Sequence, residues 1–254
     1  MHILVTNDDG VNAPGLLALA IELRKIAEVS VLAPDHNWSA SGHVKTMHRP
    51  LRVKPAKLAD GSEALASDGA PSDCVALALM GVIEKPIDLV VSGINPNANI
   101  GHDITYSGTV TAAMEAIINS TRSIAVSLDA PERYKEELDF SVAAVSARKI
   151  VENCMKHDWP AGVLINVNVP YLKEDELKGF RVNRQGQRVY LDELVRREDP
   201  RGKPYYWIGG EPPTGVAESG TDYGDLKAGF VSITPLQLNM TASQALEVMS
   251  AWDW

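Results

Sequence analysis

The sequence predicts an α/β fold: a mostly parallel sheet with helices on both faces, plus an extended C-terminal β-hairpin or arm. Three observations carry that prediction. Apolar runs of strand length alternate with longer amphipathic segments, which is the pattern of βαβ units. The 254 residues are 45% hydrophobic and 22% charged, so the composition is globular and a chain of this size can bury a substantial core. Past Pro170 the alternation stops, and residues 173–224 become rich in charge, Gly and Pro.

In chain order, residues 3–6 form a short apolar strand and residues 15–27 an amphipathic helix. A buried strand follows at 29–33 and a helix at 72–80. Strand 89–92, helix 107–119, strand 124–127, a long helix at 134–156 and strand 163–169 complete the series. The alternating piece Arg188-Val189-Tyr190-Leu191 and the aromatic cluster Tyr205-Tyr206-Trp207 then read as an extended hairpin. Exposed aromatics on such an arm need a partner surface, which points to oligomerisation against the plainer reading of a solvated excursion. A last strand at 230–234 runs through Pro235 into a tail containing Trp252 and Trp254. Residues 1–170 are thus expected to form the α/β core, and residues 171–254 an extension whose final strand returns to it.

Charge and cysteine content narrow the function. The balance of 24 Lys+Arg against 33 Asp+Glu gives −9, which argues against electrostatic adhesion to nucleic-acid polymers or anionic membranes. Cys74 and Cys154 lack the paired spacing of a disulfide framework or a zinc site. No basic leader and no apolar run of roughly 18–20 residues is present, so the expectation is a cytoplasmic protein that starts at Met1.

In a parallel sheet, ligands bind at the carboxyl ends of the strands. The first such loop, Thr6-Asn7-Asp8-Asp9-Gly10, places two adjacent carboxylates where a dinucleotide fold would put glycines. Carboxylate oxygens suit hard divalent cations. The competing reading, favoured for an isolated Asn-Asp-Asp-Gly, is an Asx turn capping the helix that begins near Pro14. The loop after residues 88–91 is long and polar, and its Asn95 offers an amide oxygen suited to the same kind of metal. Ser39, in the loop after the second strand, adds a hydroxyl. Ser107-Gly108-Thr109 runs into an apolar helix, so it is either a phosphate cradle at a helix N-terminus or an ordinary Ser/Thr cap. His36, His43, His48 and His102 are scattered without metal-ligand spacing.

Taken together, these loops resemble the survival protein SurE family of metal-dependent 5′-nucleotidases along the whole chain. The strongest pieces are the opening from Ile3 to Gly15, Val91-Ser92-Gly93-Ile94-Asn95 and Tyr106-Ser107-Gly108-Thr109-Val110. Gly69 to Val75, Asn166 to Pro170 and Val231 to Leu236 add support. The resemblance implies a Rossmann-like core whose C-terminal extension exchanges between subunits, giving a homodimer or tetramer. It implies one divalent metal per subunit, Mg²⁺ or Mn²⁺, on Asp8, Asp9, Ser39 and Asn95. Phosphate-binding positions then map onto Ser107, Gly108 and Thr109, with Asn97 and Gly42 beside them. Two departures from the family pattern, Asn97 and Thr111, put side chains where glycines are usual, and are expected to narrow the phosphate pocket. The implied reaction is hydrolysis of nucleoside monophosphates by a metal-activated water, with 3′-nucleotides and short polyphosphate as further candidate substrates. One alternative is an aspartyl-phosphate phosphatase of the haloacid dehalogenase type, disfavoured because Gly10 stands where its acid-base Asp belongs. The other is a non-catalytic nucleotide sensor.

Overall fold

The computed structural model of the chain describes residues 1–131, 134 and 137–254. The strands are β1 (His2–Thr6), β2 (Glu28–Pro34), β3 (Val53–Lys57), β4 (Glu63–Ser67), β5 (Leu89–Asn95), β6 (Arg122–Asp129), β7 (Val163–Pro170), β8 (Phe180–Val182), β9 (Arg188–Glu198), β10 (Pro204–Gly215) and β11 (Val231–Gln237). The helices are α1 (Pro14–Leu23), α2 (Pro71–Leu77), α3 (Gly108–Ile118), α4 (Ser141–Cys154), α5 (Asp222–Lys227) and α6 (Ser243–Ser250). Nine strands form one sheet in the order β3-β4-β2-β1-β5-β6-β7-β11-β8, and β9 and β10 form a separate antiparallel pair.

From β4 to β7 the sheet is parallel, and the antiparallel steps are β3 on β4 and β11 on β7. Side chains of β1 alternate between the two faces, as the pleat requires. Ile3 and Val5 join Leu16, Leu19 and Leu23 of α1 and Ala143, Ala147 and Val151 of α4. Leu4, one residue out of phase, joins Cys74 and Val75 of α2 and Ala112 and Ala116 of α3. Both faces of the central strands are therefore buried, which is why they read as unbroken apolar runs.

Several predicted bounds are corrected. The first helix ends at Leu23 instead of 27, because the chain must turn back in time for Glu28 to pair with His2. The helix predicted for 134–156 starts at Ser141; positions 135 and 136 of that prediction lie outside the described residues. The helix predicted to reach Met80 passes at Ala78 into a π-turn containing Gly81 at φ 113°. The hairpin β3–β4 and the tail helix α6 were not predicted. The expected final strand is β11. Its Pro235 lies beyond the Val231–Ile233 stretch that pairs with β8, so no ladder donor is lost on that side.

The expected arm is present as β9–β10, paired from Pro204↔Glu198 to Gly215↔Arg188 with an irregularity between Glu211 and Thr214. Among the described residues, no helix is long and apolar enough to cross a membrane.

Candidate functional site

The chain leaves β1 towards β2 on one side, while β5 pairs on the other, so the carboxyl end of β1 is the switch point of the sheet. Three loops and one helix start converge there. The loop after β2 is tied to the loop after β1 by the Trp38 N–H on Asp8 O at 2.7 Å and by Asn37 Nδ2 on Asp9 Oδ1 at 3.2 Å. The start of α3 arrives through Thr109, whose hydroxyl donates to Asp8 Oδ1 at 2.6 Å. β5 ends at Asn95, next to β1 in the sheet.

The Asx turn exists but does not do what the plain reading assigned to it. Asn7 Oδ1 accepts from Gly10 N–H at 3.1 Å and Asn7 Nδ2 donates to Gly10 O at 3.0 Å, closing the turn on itself. The cap residue of α1 is Ala13, without a side-chain bond, and Pro14 opens the helix. Asn7 thus shapes the loop and both aspartates are free for other work. Asp8 is buried and Asp9 half-buried. Burial raises the Asp8 carboxyl, opposed by the Thr109 hydroxyl and by the backbone amides of Asp8, Thr109 and Gly108. Burial and the adjacent Asp8 charge push Asp9 up to about 7, against the Asn37 amide. Two adjacent carboxyls, both raised by burial and one further by its neighbour's charge, suit a cation.

A pH prediction follows from that pair. Asp9 binds a proton more tightly folded than unfolded between its ordinary 3.8 and about 7, so ionising it in the folded state costs stability as pH rises through that window. The carboxyls held low elsewhere, such as Asp139 and Asp225, titrate below their ordinary range and leave the interval above about 5 to the acid pair. Metal-free wild type should therefore lose stability relative to Asp9→Asn from pH 5 to 7. Chelator-treated thermal melts measure this, and a difference independent of pH would contradict it.

Of the two readings of Ser107-Gly108-Thr109, the structure shows the cap. Ser107 is the N-cap of α3, and its hydroxyl accepts from Val110 N–H at 3.1 Å. Thr109 reaches Asp8. Gly108 lies so close to the acid pair that a Cβ there would stand 2.7 Å from Asp8 Cβ and 3.0 Å from Asp8 Oδ2. Gly108→Ala should therefore displace Asp8 and lower turnover about 100-fold, which steady-state kinetics with a melting control would measure. Thr111 is buried, and its hydroxyl donates to Ser107 O at 2.9 Å and to Gly42 O at 3.0 Å. That corrects the expectation that Thr111 narrows the pocket: its hydroxyl is engaged within the fold, clipping Gly42 to α3. The Gly42 N–H completes the clip on Tyr106 O at 3.0 Å.

Asn95 donates Nδ2 to Asn97 O at 2.5 Å, which leaves its amide oxygen without a hydrogen-bond partner among the described residues. Asn97 itself is exposed. Ser39 is exposed, and the structure gives it no direct bond to either aspartate; its N–H rests on Asn37 Oδ1 at 2.7 Å. Asn37, missed in the sequence, thus links Ser39 to Asp9 from 28 residues away. Of the histidines, His43 pairs with buried Glu115 at 3.1 Å and His36 with Asp35 at 2.6 Å.

Other motif residues hold these loops. Asn166 and Asn168 donate to Asn99 O at 2.8 and 3.0 Å, and Asn168 Oδ1 accepts from Asn99 N–H at 2.8 Å, fixing the loop after β5. Asp73 takes the Thr46 N–H and hydroxyl at 2.9 and 2.6 Å, anchoring the loop after β2.

The donors fit a hard divalent cation. Among the described residues, no group of three or more His, Cys, Asp or Glu is placed to hold a metal; the candidate set is two carboxylates, an amide oxygen and a hydroxyl. Among the described residues, Thr6 Oγ1 and Ser92 Oγ, paired across β1 and β5 just ahead of the acid pair and Asn95, are buried without partners, as are Trp38 Nε1 and Ser41 Oγ in the loop after β2 and Asn166 Oδ1 on β7. Unpaired buried polar atoms are uncommon in folded proteins.

The survival protein SurE family model matches residues 3–192. The 5′-nucleotidase SurE of Herpetosiphon aurantiacus is 52% identical over 254 residues, covering 100% of this chain and 99% of the relative. That of Chloroflexus aggregans is 48% identical, covering 100% of both. The crystal structure of the SurE protein from Aquifex aeolicus superposes with a TM-score of 0.83 at 40% identity, covering 98% of each chain.

Proposed function

We propose that this chain, which belongs to the survival protein SurE family, is a 5′-nucleotidase that releases phosphate from nucleoside monophosphates at the carboxyl edge of β1 and β5. The observation that carries the reading is the convergence of the raised Asp8–Asp9 pair with the N-terminus of α3 through the 2.6 Å Thr109–Asp8 bond. Asp8, Asp9, Asn95 and Ser39 would hold one Mg²⁺ or Mn²⁺ per subunit. When bound, such a cation supplies charge that polarises a phosphoryl oxygen and favours deprotonation of water. The chain's own contribution is placement. Thr109 orients the Asp8 carboxylate, Asn37 orients Asp9, and Gly108 permits their approach. The partial positive charge at the start of α3, together with Gly42 and Asn97 on the neighbouring loops, would face the phosphoryl oxygens, where charge spreads in a loose transition state.

Residues 1–170 would thus carry the chemistry and residues 171–254 the assembly, as a homodimer or tetramer through the β9–β10 arm. The reading places the enzyme in the cytoplasm, a reducing compartment that suits its two unpaired thiols. The test is phosphate release from 5′- and 3′-nucleoside monophosphates and short polyphosphate, after chelation and after Mg²⁺ or Mn²⁺ is restored. Metal-restored release with 5′-monophosphates preferred supports the reading. Tight nucleotide binding without release under any metal would make the chain a sensor instead.

A further inference from the structure

Residues 35–52, between β2 and β3, contain no helix or strand, yet they carry Asn37, Ser39 and Gly42 of the candidate site. The segment also bends sharply: Ala40 stands at φ 57° and Gly42 at φ 64°, both in the left-handed region. A non-glycine residue there is strained and persists only where its surroundings hold it. On one side the holding contacts are those of Asn37 and Trp38 with the acid pair. On the other side they come from α3 and centre on a buried carboxylate, Glu115.

Glu115 is 2% exposed and stands in the last turn of α3, where the helix dipole disfavours an anion. A carboxylate so placed is kept only by donors. His43 Nε2 meets its Oε2 at 3.1 Å, Lys45 Nζ its Oε1 at 3.2 Å, and Asn119 Nδ2 its Oε1 at 3.3 Å. A carboxylate offers acceptors only, so all three donate to it. Two of the three belong to the loop after β2. They begin one residue beyond Gly42, whose own N–H and carbonyl are held by Tyr106 O and the Thr111 hydroxyl. One helix thus presents Ser107 to Thr109 at its start and, from its last turn, grips the loop that carries Ser39.

We propose that Glu115 is a positioning residue: through His43 and Lys45 it holds the Ser39–Gly42 segment docked, so that metal and phosphate meet a preformed loop. The inference rests on the nucleotidase reading above. Without the clamp the loop docks only part of the time, and a ligand that needs the docked form binds more weakly by that fraction. Once ligand saturates, the loop is docked again and turnover recovers. Loss of fold does the opposite: it lowers the active fraction, and hence kcat, and leaves KM alone.

The test uses the full chain, stripped with chelator for Mn²⁺ binding and reloaded with Mn²⁺ for kinetics with AMP. Glu115→Gln should raise both the Mn²⁺ dissociation constant and the KM for AMP by about tenfold, the scale of a charged hydrogen-bond acceptor lost from a buried cluster, with kcat within about threefold of wild type. His43→Ala should move the same two constants in the same direction. His43→Gln, whose Nε2 takes the place of the ring nitrogen, should recover most of that loss. Combining Glu115→Gln with His43→Ala should cost less than the two changes multiplied, because both act on one contact. If Glu115→Gln does not fold, His43→Ala, which leaves the carboxylate with Lys45 and Asn119, carries the test. A lowered kcat with KM and Mn²⁺ affinity unchanged, or effects of the two variants that multiply, overturns the clamp. Absence of phosphate release from any nucleoside monophosphate by metal-loaded wild type refutes the nucleotidase reading instead, and the Mn²⁺ constants still decide the clamp. Wild type that binds no Mn²⁺ overturns both.

Discussion

Asp8→Asn should reduce metal-dependent phosphate release by about 1,000-fold or more, the scale of removing a preorganised charge from a phosphoryl site, while leaving the metal-free protein at least as stable as wild type. The two halves of this expectation have one cause. Asp8 is 3% exposed and its charge is opposed by burial. An amide keeps the oxygen that accepts the Thr109 hydroxyl and removes the charge that, added to burial, raises Asp9. The variant therefore loses a destabilising interaction along with its cation affinity, the usual relation between a strained site and the fold that carries it. Kinetics alongside thermal melts in chelator would show it. A variant that is inactive because it is unfolded, or one that retains turnover, would each count against this account of Asp8.

The second large effect concerns assembly. An isolated two-stranded hairpin is marginal in water, yet β9–β10 exposes Leu194 by 74%, Trp207 by 63% and Ile208 by 85%. Its base, by contrast, belongs to the core: Arg188 and Tyr190 bond Asp103 at 2.6 Å, and Gln185 bonds Gly101 O at 2.8 Å. Deleting residues 193–209 would join Asp192 to Gly210, which already face each other across the ladder with Leu191 opposite Glu211. The new junction is an Asp-Gly turn, the preferred two-residue hairpin connection. This variant keeps the bonds to Asp103 and removes the apolar tip. Light scattering should show its mass fall from an oligomer to a smaller species, with the fold retained. An unchanged mass would remove the arm from the interface.

The sheet's central strands were readable because both of their faces are buried, so Ile3, Leu4 and Val5 form one apolar run. The acid pair, Asn95 and the start of α3 were readable because parallel strands deliver their following loops to one edge. What escaped the sequence depends on distant partners. β3, Val-Lys-Pro-Ala-Lys, has neither an apolar run nor a clean alternation; it is an edge strand that tolerates Pro55. Asn37 reads as a loop residue until Asp9 is beside it. The asparagines of β7 read as polar interruptions in a strand, and only the fold shows them gripping Asn99. Thr111 was read as an intrusion into the pocket, whereas the structure turns its hydroxyl to Gly42 O. The end of the first helix was misplaced because strand register, with Glu28 opposite His2, sets it at Leu23 in place of local periodicity.

The most direct test of the site is a Mn²⁺ titration of chelator-stripped protein, with bound metal and phosphate release from AMP read in the same samples. The account predicts that both saturate together at about one ion per chain and that both are lost in Asp8→Asn. Phosphate release from fully stripped protein, or metal binding undiminished in Asp8→Asn, would contradict it.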